Sequence, residues 1–164
     1  MKLLVVLAVI IVAVIAGAAF LRTQKKSSQH AVFKTTQEMM TFLAAEAVKD
    51  AEKENQIKLD YSPQSIEKVE AVLDNIHEQY TKDKSSIAVN GLAMAYGAYI
   101  GEVIRRSEPG SIWERDHPVG GEKSYPLHWK GGESFPCGWC FKRITNGPED
   151  NVWHKYQMLK EQRG

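Results

Sequence analysis

The chain is short of cysteine, of charge of one sign and of recognisable catalytic signatures, and each shortage removes a class of function. Two cysteines in 164 residues cannot staple a disulfide-built scaffold. Lys plus Arg number 21 against 20 Asp plus Glu, a formal net charge of +1, so there is neither a basic nucleic-acid arm nor an acidic tail, and no nucleic-acid partner is expected. No G-x-S-x-G, H-E-x-x-H, P-loop or dinucleotide glycine motif occurs, which removes the readily recognised hydrolase and nucleotide classes and implies no cofactor. Long apolar runs are missing as well, except at the amino terminus.

That exception covers residues 3–21, where every side chain belongs to Leu, Val, Ile, Ala, Gly or Phe. At about 1.5 Å per helical residue the run matches roughly the 30 Å of a bilayer's hydrocarbon core. Residues 1–21 therefore read as a transmembrane anchor, with the lipid bilayer as a partner through residues 3–21 and a single-pass membrane location. Lys2, the apolar run and Ala16-Gly17-Ala18 also fit a cleaved signal peptide, which would export the rest. Continuation of the run through Ala19, Phe20 and Leu21 favours the retained anchor. Arg22, Lys25 and Lys26 lie in a polar linker, residues 22–29, and tilt the positive-inside rule toward a cytoplasmic domain. Apart from Lys2, basic and acidic residues are equal in number, so the remainder after the apolar run is neutral, and within it residues 30–164 read as one domain able to bury its own core.

Within that domain helical spacing comes first. Val32, Phe33, Met40, Leu43, Ala44, Ala47 and Ala51 predict a helix over residues 30–54. Ser62-Pro63 reads as an N-cap followed by a first-turn proline, opening a helix striped by Ile66, Val69, Leu73, Ile76 and Tyr80. Residues 87–104 predict a buried central helix, interrupted only by Asn90 and Glu102, with Ala93, Gly97 and Gly101 forming a small-residue face for close helix contact. Past Pro109-Gly110 the periodicity gives way to aromatics and glycine pairs. Short strands are expected at 111–114, 125–129 and 133–135, residues 141–145 fit strand or helix, and a terminal helix is expected over 149–162. The fold class is α+β: a transmembrane helix, then a three-helix-rich domain with a small antiparallel sheet and a C-terminal helix.

Three stretches carry a resemblance: Tyr61-Ser62-Pro63; Gly97-Ala98-Tyr99-Ile100-Gly101-Glu102-Val103-Ile104-Arg105-Arg106 followed by Trp113; and Pro136-Cys137-Gly138-Trp139-Cys140-Phe141-Lys142-Arg143-Ile144-Thr145-Asn146-Gly147. They resemble a group of small bacterial domains of unknown function patterned YSP, GAYxGEVIRR, a tryptophan after a glycine turn, and PxGxxxKRxxNG. The likeness spans residues 61–159. It implies a single compact unit and an accessory or immunity-type role, and brings no catalytic residue or cofactor with it.

The sharpest local motif is Cys137-Gly138-Trp139-Cys140, which fits a structural pair, a redox disulfide or half of a metal site. No βαβ frame precedes it, which favours the structural role, although Pro136 suits the helix start a redox thiol needs. Zinc would require two further ligands, and His117, His128 and His154 are the nearby choices, none with a paired spacing. Glu102 would be costly unpaired inside an apolar helix, and Arg105 and Arg106 stand at the favourable i+3 and i+4 positions. As a functional group it would face a pocket with Tyr99 or Trp113. The expected function is a membrane-tethered, non-enzymatic domain that binds another protein, with Tyr99, Glu102, Arg105, Arg106 and Trp113 as candidate contacts. The alternative is a membrane-bound thiol oxidoreductase using Cys137 and Cys140.

Overall fold

A computed structural model describes residues 32–163, and these contain five α-helices, a 3-10 turn and one small sheet. Helix α1 (Thr36–Asn55) opens on Thr35, whose hydroxyl accepts the Glu38 amide while the Glu38 carboxylate accepts the Lys34 amide, so two otherwise orphaned donors are satisfied. It ends where Gln56 turns left-handed. Its buried face, Met40, Ala44, Ala47 and Ala51, is small, and lies against α3 (Val89–Ser107).

Helix α2 (Ser65–Lys82) buries Ile66, Val69, Leu73 and Ile76 of its predicted stripe together with Val72, while Tyr80 is half-buried. Its start differs from expectation. Gln64, not Ser62, occupies the cap, and the Ser62 carbonyl accepts both the amide and the hydroxyl of Ser65. The Ser62 side chain instead donates to Asp60, whose carboxylate also accepts the Ser62 amide in a local turn.

Helix α3 is the central element. Every residue from Tyr96 to Ile104 is buried, which happens only when protein covers a helix on all sides. Helix α1 packs on one flank and α4 (Pro136–Thr145) on the other. The small-residue face has two distinct uses: a β-carbon on Gly97 would stand 2.3 Å from the Cys137 Cα, and one on Gly101 would stand 1.9 Å from the Trp113 ring.

Strands β1 (Ile112–Trp113), β2 (Leu127–Trp129) and β3 (Gly132–Ser134) form an antiparallel sheet in that order, pairing Trp113 with Leu127 and His128 with Glu133. β1 and β2 are shorter than predicted, with Pro126, which has no amide to donate, just ahead of β2; β3 has the predicted length but lies one residue earlier, because Phe135, ahead of Pro136, becomes the cap of α4. Residues 141–145 are helical, completing α4. Helix α5 (Val152–Gln162) starts later than expected, after the 3-10 turn Pro148–Asp150, with Asn151 capping the His154 amide. Arg163 closes the sheet, stacking over Trp129 and donating to the carbonyls of Trp129 and Glu133.

The α+β class stands, but the transmembrane part of the expectation is corrected. No described helix is long and apolar enough to cross a membrane, and this overturns the single-pass membrane reading. The long helices carry charge: α1 holds several acids and lysines, and α3 contains Glu102, Arg105 and Arg106. Residues 1–21 and the linker 22–29, on which the anchor reading rests, lie outside the described residues.

Candidate functional site

Of the five side chains singled out around α3, Glu102, Arg105 and Trp113 meet in one hydrogen-bonded cluster, whereas Tyr99 and Arg106 belong to a second group around Tyr61. Glu102 is 1% exposed. Its carboxylate accepts Arg105 Nε at 3.0 Å and Nη2 at 3.0 Å, Gln37 Nε2 at 2.8 Å and Trp113 Nε1 at 3.1 Å. Burial pushes the carboxyl up, but the hydrogen bonds from Arg105 and Gln37, the Arg105 charge and the Trp113 indole outweigh it and hold Glu102 below the usual range. Arg106 does not join the pair expected of it. Its guanidinium lies 3.5 Å above the Tyr61 ring, which in turn packs on Tyr99 at 4.8 Å. The Tyr99 hydroxyl accepts the Tyr61 amide at 2.8 Å and meets Ser65 Oγ at 2.6 Å, fixing Tyr61 in a left-handed conformation. With its partners assigned, Glu102 has no lone pair aimed at an open space, and the group reads as a specificity device of the core.

Cys137 and Cys140 are both free thiols on the first turns of α4. Burial pushes Cys137 up to about 12 and Cys140 well above the ordinary thiol, overcoming the helix N-terminus that would favour thiolate. The Cys137 thiol points weakly at the Met94 carbonyl, 3.9 Å away. Both sulfurs are therefore protonated and poorly nucleophilic at neutral pH.

The histidines do not gather with them. His117 Nδ1 accepts the amides of Val119 and Gly120, each at 3.1 Å, which places the ring proton on Nε2, 2.7 Å from Glu133 Oε2. In that tautomer neither nitrogen is free for a metal. His128 Nδ1 is 3.6 Å from the other Glu133 oxygen, and its Nε2 is 3.2 Å from Glu114 Oε2 without the alignment of a hydrogen bond. His154 is exposed on α5. Among the described residues no three His, Cys, Asp or Glu side chains are placed to hold a metal ion, so the zinc alternative for Cys137, Cys140, His128 and His154 finds no support.

What the sequence does not announce is a cleft of about 630 Å³ between the first turns of α3, the start of α4 and the loop 120–125. Met94, Tyr125, Phe135, Cys137 and Phe141 line it, within the volume range of natural ligand sites. His117 supports one wall from behind: it ties down the loop's backbone and meets Phe135 edge-on at 5.3 Å. A second hollow of about 420 Å³ shares Asn90 and Phe141 with the first and extends to Tyr80 and Ile87. Phe141 remains 42% exposed between them. The available signal was the C-terminal half of α4: Cys140, Arg143 and Ile144 at helical spacing face inward, which turns Phe141 outward.

A buried ion pair was also not anticipated. Arg143, 2% exposed, donates to Glu70 and Asp74 of α2, and the other Glu70 oxygen accepts the Val152 amide at 2.8 Å, so one carboxylate ties α2 to α4 and to the start of α5. Compared with protein-family models, with curated proteins and with solved structures, the chain matches none.

Proposed function

We propose that this domain is a non-enzymatic binding module that receives an apolar segment of a partner protein in the cleft between α3 and α4. The observation that carries the reading is the exposed Phe141 set between two contiguous hollows, the larger walled by Met94, Phe135 and Tyr125 and the smaller by Tyr80 and Ile87. Exposed aromatics beside a preformed cavity are the usual anchors of protein recognition. The candidate reactive groups weigh against an enzyme: Glu102 is fully bonded, the thiols are held protonated, and His117 is engaged at both nitrogens. The same thiols weigh against the oxidoreductase alternative.

The test is in-cell photo-cross-linking from position 141, with position 58, which is exposed and lines neither hollow, as control. One protein species should cross-link from 141 alone, and its purified complex with the full chain should weaken at least roughly tenfold on Phe141→Asp, the scale of one hot-spot contact. Equal labelling from both positions, or a complex indifferent to Phe141→Asp, would remove the reading.

A further inference from the structure

Resting on that reading, we infer that the occupant of the cleft is an extended peptide segment with two apolar side chains and an acidic residue beside the first of them. Three features of the walls select it. The two hollows meet at Asn90 and Phe141, so a single small ligand would fill only one of them, whereas a chain crossing the Phe141 ridge places one apolar side chain in each.

At that ridge Asn90 is exposed in the first turn of α3, and its amide makes no hydrogen bond to any described residue. A primary amide offers one acceptor and two donors, the complement of a peptide group, and a hydrocarbon chain would leave it unused. Among the residues lining either hollow, Lys123 is the one with a charged side chain, and its ammonium forms no ion pair among the described residues. Its backbone is pinned, in a left-handed conformation, by donation to Asp116 Oδ1 at 2.6 Å, so the side chain starts from a fixed point at the rim of the larger hollow. A lone cation at the rim of an apolar cleft favours an anionic group on the incoming chain.

The experiment uses the full chain and three fluorescein-labelled 12-residue peptides: one with two leucines flanked by glutamates, one with lysines replacing the glutamates, and one with serines replacing the leucines. Anisotropy should show the leucine-glutamate peptide binding roughly tenfold more tightly than the lysine version at low salt, with the gap closing at high salt. The serine version should not bind. Lys123→Glu should reverse the charge preference, and Asn90→Ala should weaken both leucine peptides; both positions are exposed, and circular dichroism would confirm that the variants fold. Equal binding of glutamate and lysine peptides, unaltered by Lys123→Glu but lost in Phe141→Asp, would overturn the acidic segment and leave the cleft as a docking site. Binding insensitive to Phe141→Asp, or no binding by any peptide, would also overturn the inference, and the cross-linking from position 141 then decides the cleft separately.

Discussion

Gly97 meets Cys137 backbone to backbone: a β-carbon at position 97 would stand 2.3 Å from the Cys137 Cα and 2.5 Å from its nitrogen. Backbone cannot swing aside as a flexible side chain does, so α3 crosses the start of α4 only because residue 97 has no side chain. Gly97→Ala must push α4 outward and take Gly138 and Phe141 of the cleft with it. Urea denaturation should show a loss of about 3 kcal/mol, the upper end of overpacking costs. Gly91 is the internal control. It lies in the same helix with nothing within 4 Å of its missing β-carbon, so Gly91→Ala should stabilise by about 0.8 kcal/mol from helix propensity. Equal effects at the two positions would contradict the close crossing.

Glu102 gives the domain an acid-sensitive point. Its carboxyl is held below the unfolded value, so its contribution is fully present above about pH 4.3 and is lost as pH falls through the folded value. Glu102→Gln should cost about 1–2 kcal/mol at pH 7, because Arg105 loses its counter-charge but is 35% exposed and rehydrates, while Gln37 and Trp113 keep an acceptor. The same variant should be less acid-labile than the parent, since the titrating group is gone. Thermal unfolding of both proteins from pH 7 to pH 3 measures the difference, and parallel curves would show that Glu102 titrates alike in the folded and unfolded chain.

The helices were legible because their burial is one-sided and periodic, and α3 because its apolar run is too short for a bilayer yet has almost no polar face. Glu102 with Arg105 was legible for the same local reason, three residues along one helix. Gln37, 65 positions away, was not, and neither was Glu70 under Arg143, because nothing local fixes pairings between elements. The Cys137 motif drew notice for its spacing, whereas the property that decides its chemistry is burial, which belongs to the whole fold. The cleft is the extreme case: its walls come from three separate segments, and only their packing creates it.

The thiols set the alkaline limit. Burial raises Cys137 to about 12 and Cys140 further, so the folded state keeps protons that the unfolded chain releases above about pH 8.5. Stability is fully present below that point and falls as pH rises, by about 1.4 kcal/mol per pH unit for each thiol. Urea midpoints from pH 7 to pH 10.5 should show this decline, and Cys137→Ala should roughly halve its slope, leaving the Cys140 contribution. Iodoacetamide at pH 8 should leave both thiols of the native protein unmodified and label both in 6 M guanidinium. Cys137 is half-buried at the cleft, so rapid native labelling there would contradict a thiol held protonated.

His117 supplies the last prediction, since the loop that walls the cleft depends on its tautomer. With Nδ1 accepting from Val119 and Gly120 and Nε2 lying 2.7 Å from Glu133 Oε2, the ring holds the turn 117–121 against β3. His117→Ala deletes these bonds on a partly exposed loop, so the core should survive and the global unfolding midpoint should change little. The effect should be local: the Val119 and Gly120 amides should lose protection from hydrogen exchange by roughly tenfold or less, the scale of one hydrogen bond each. Phe135 also loses the ring packed edge-on against it, so the larger hollow should open toward Ser124 and Tyr125. A peptide bound across Phe141 should then dissociate faster while its association rate stays the same, because the wall and not the anchor has been weakened. Unchanged exchange at Val119 and Gly120 would mean that the turn holds its shape without the imidazole, and a global loss of stability would place His117 in the core instead of the wall.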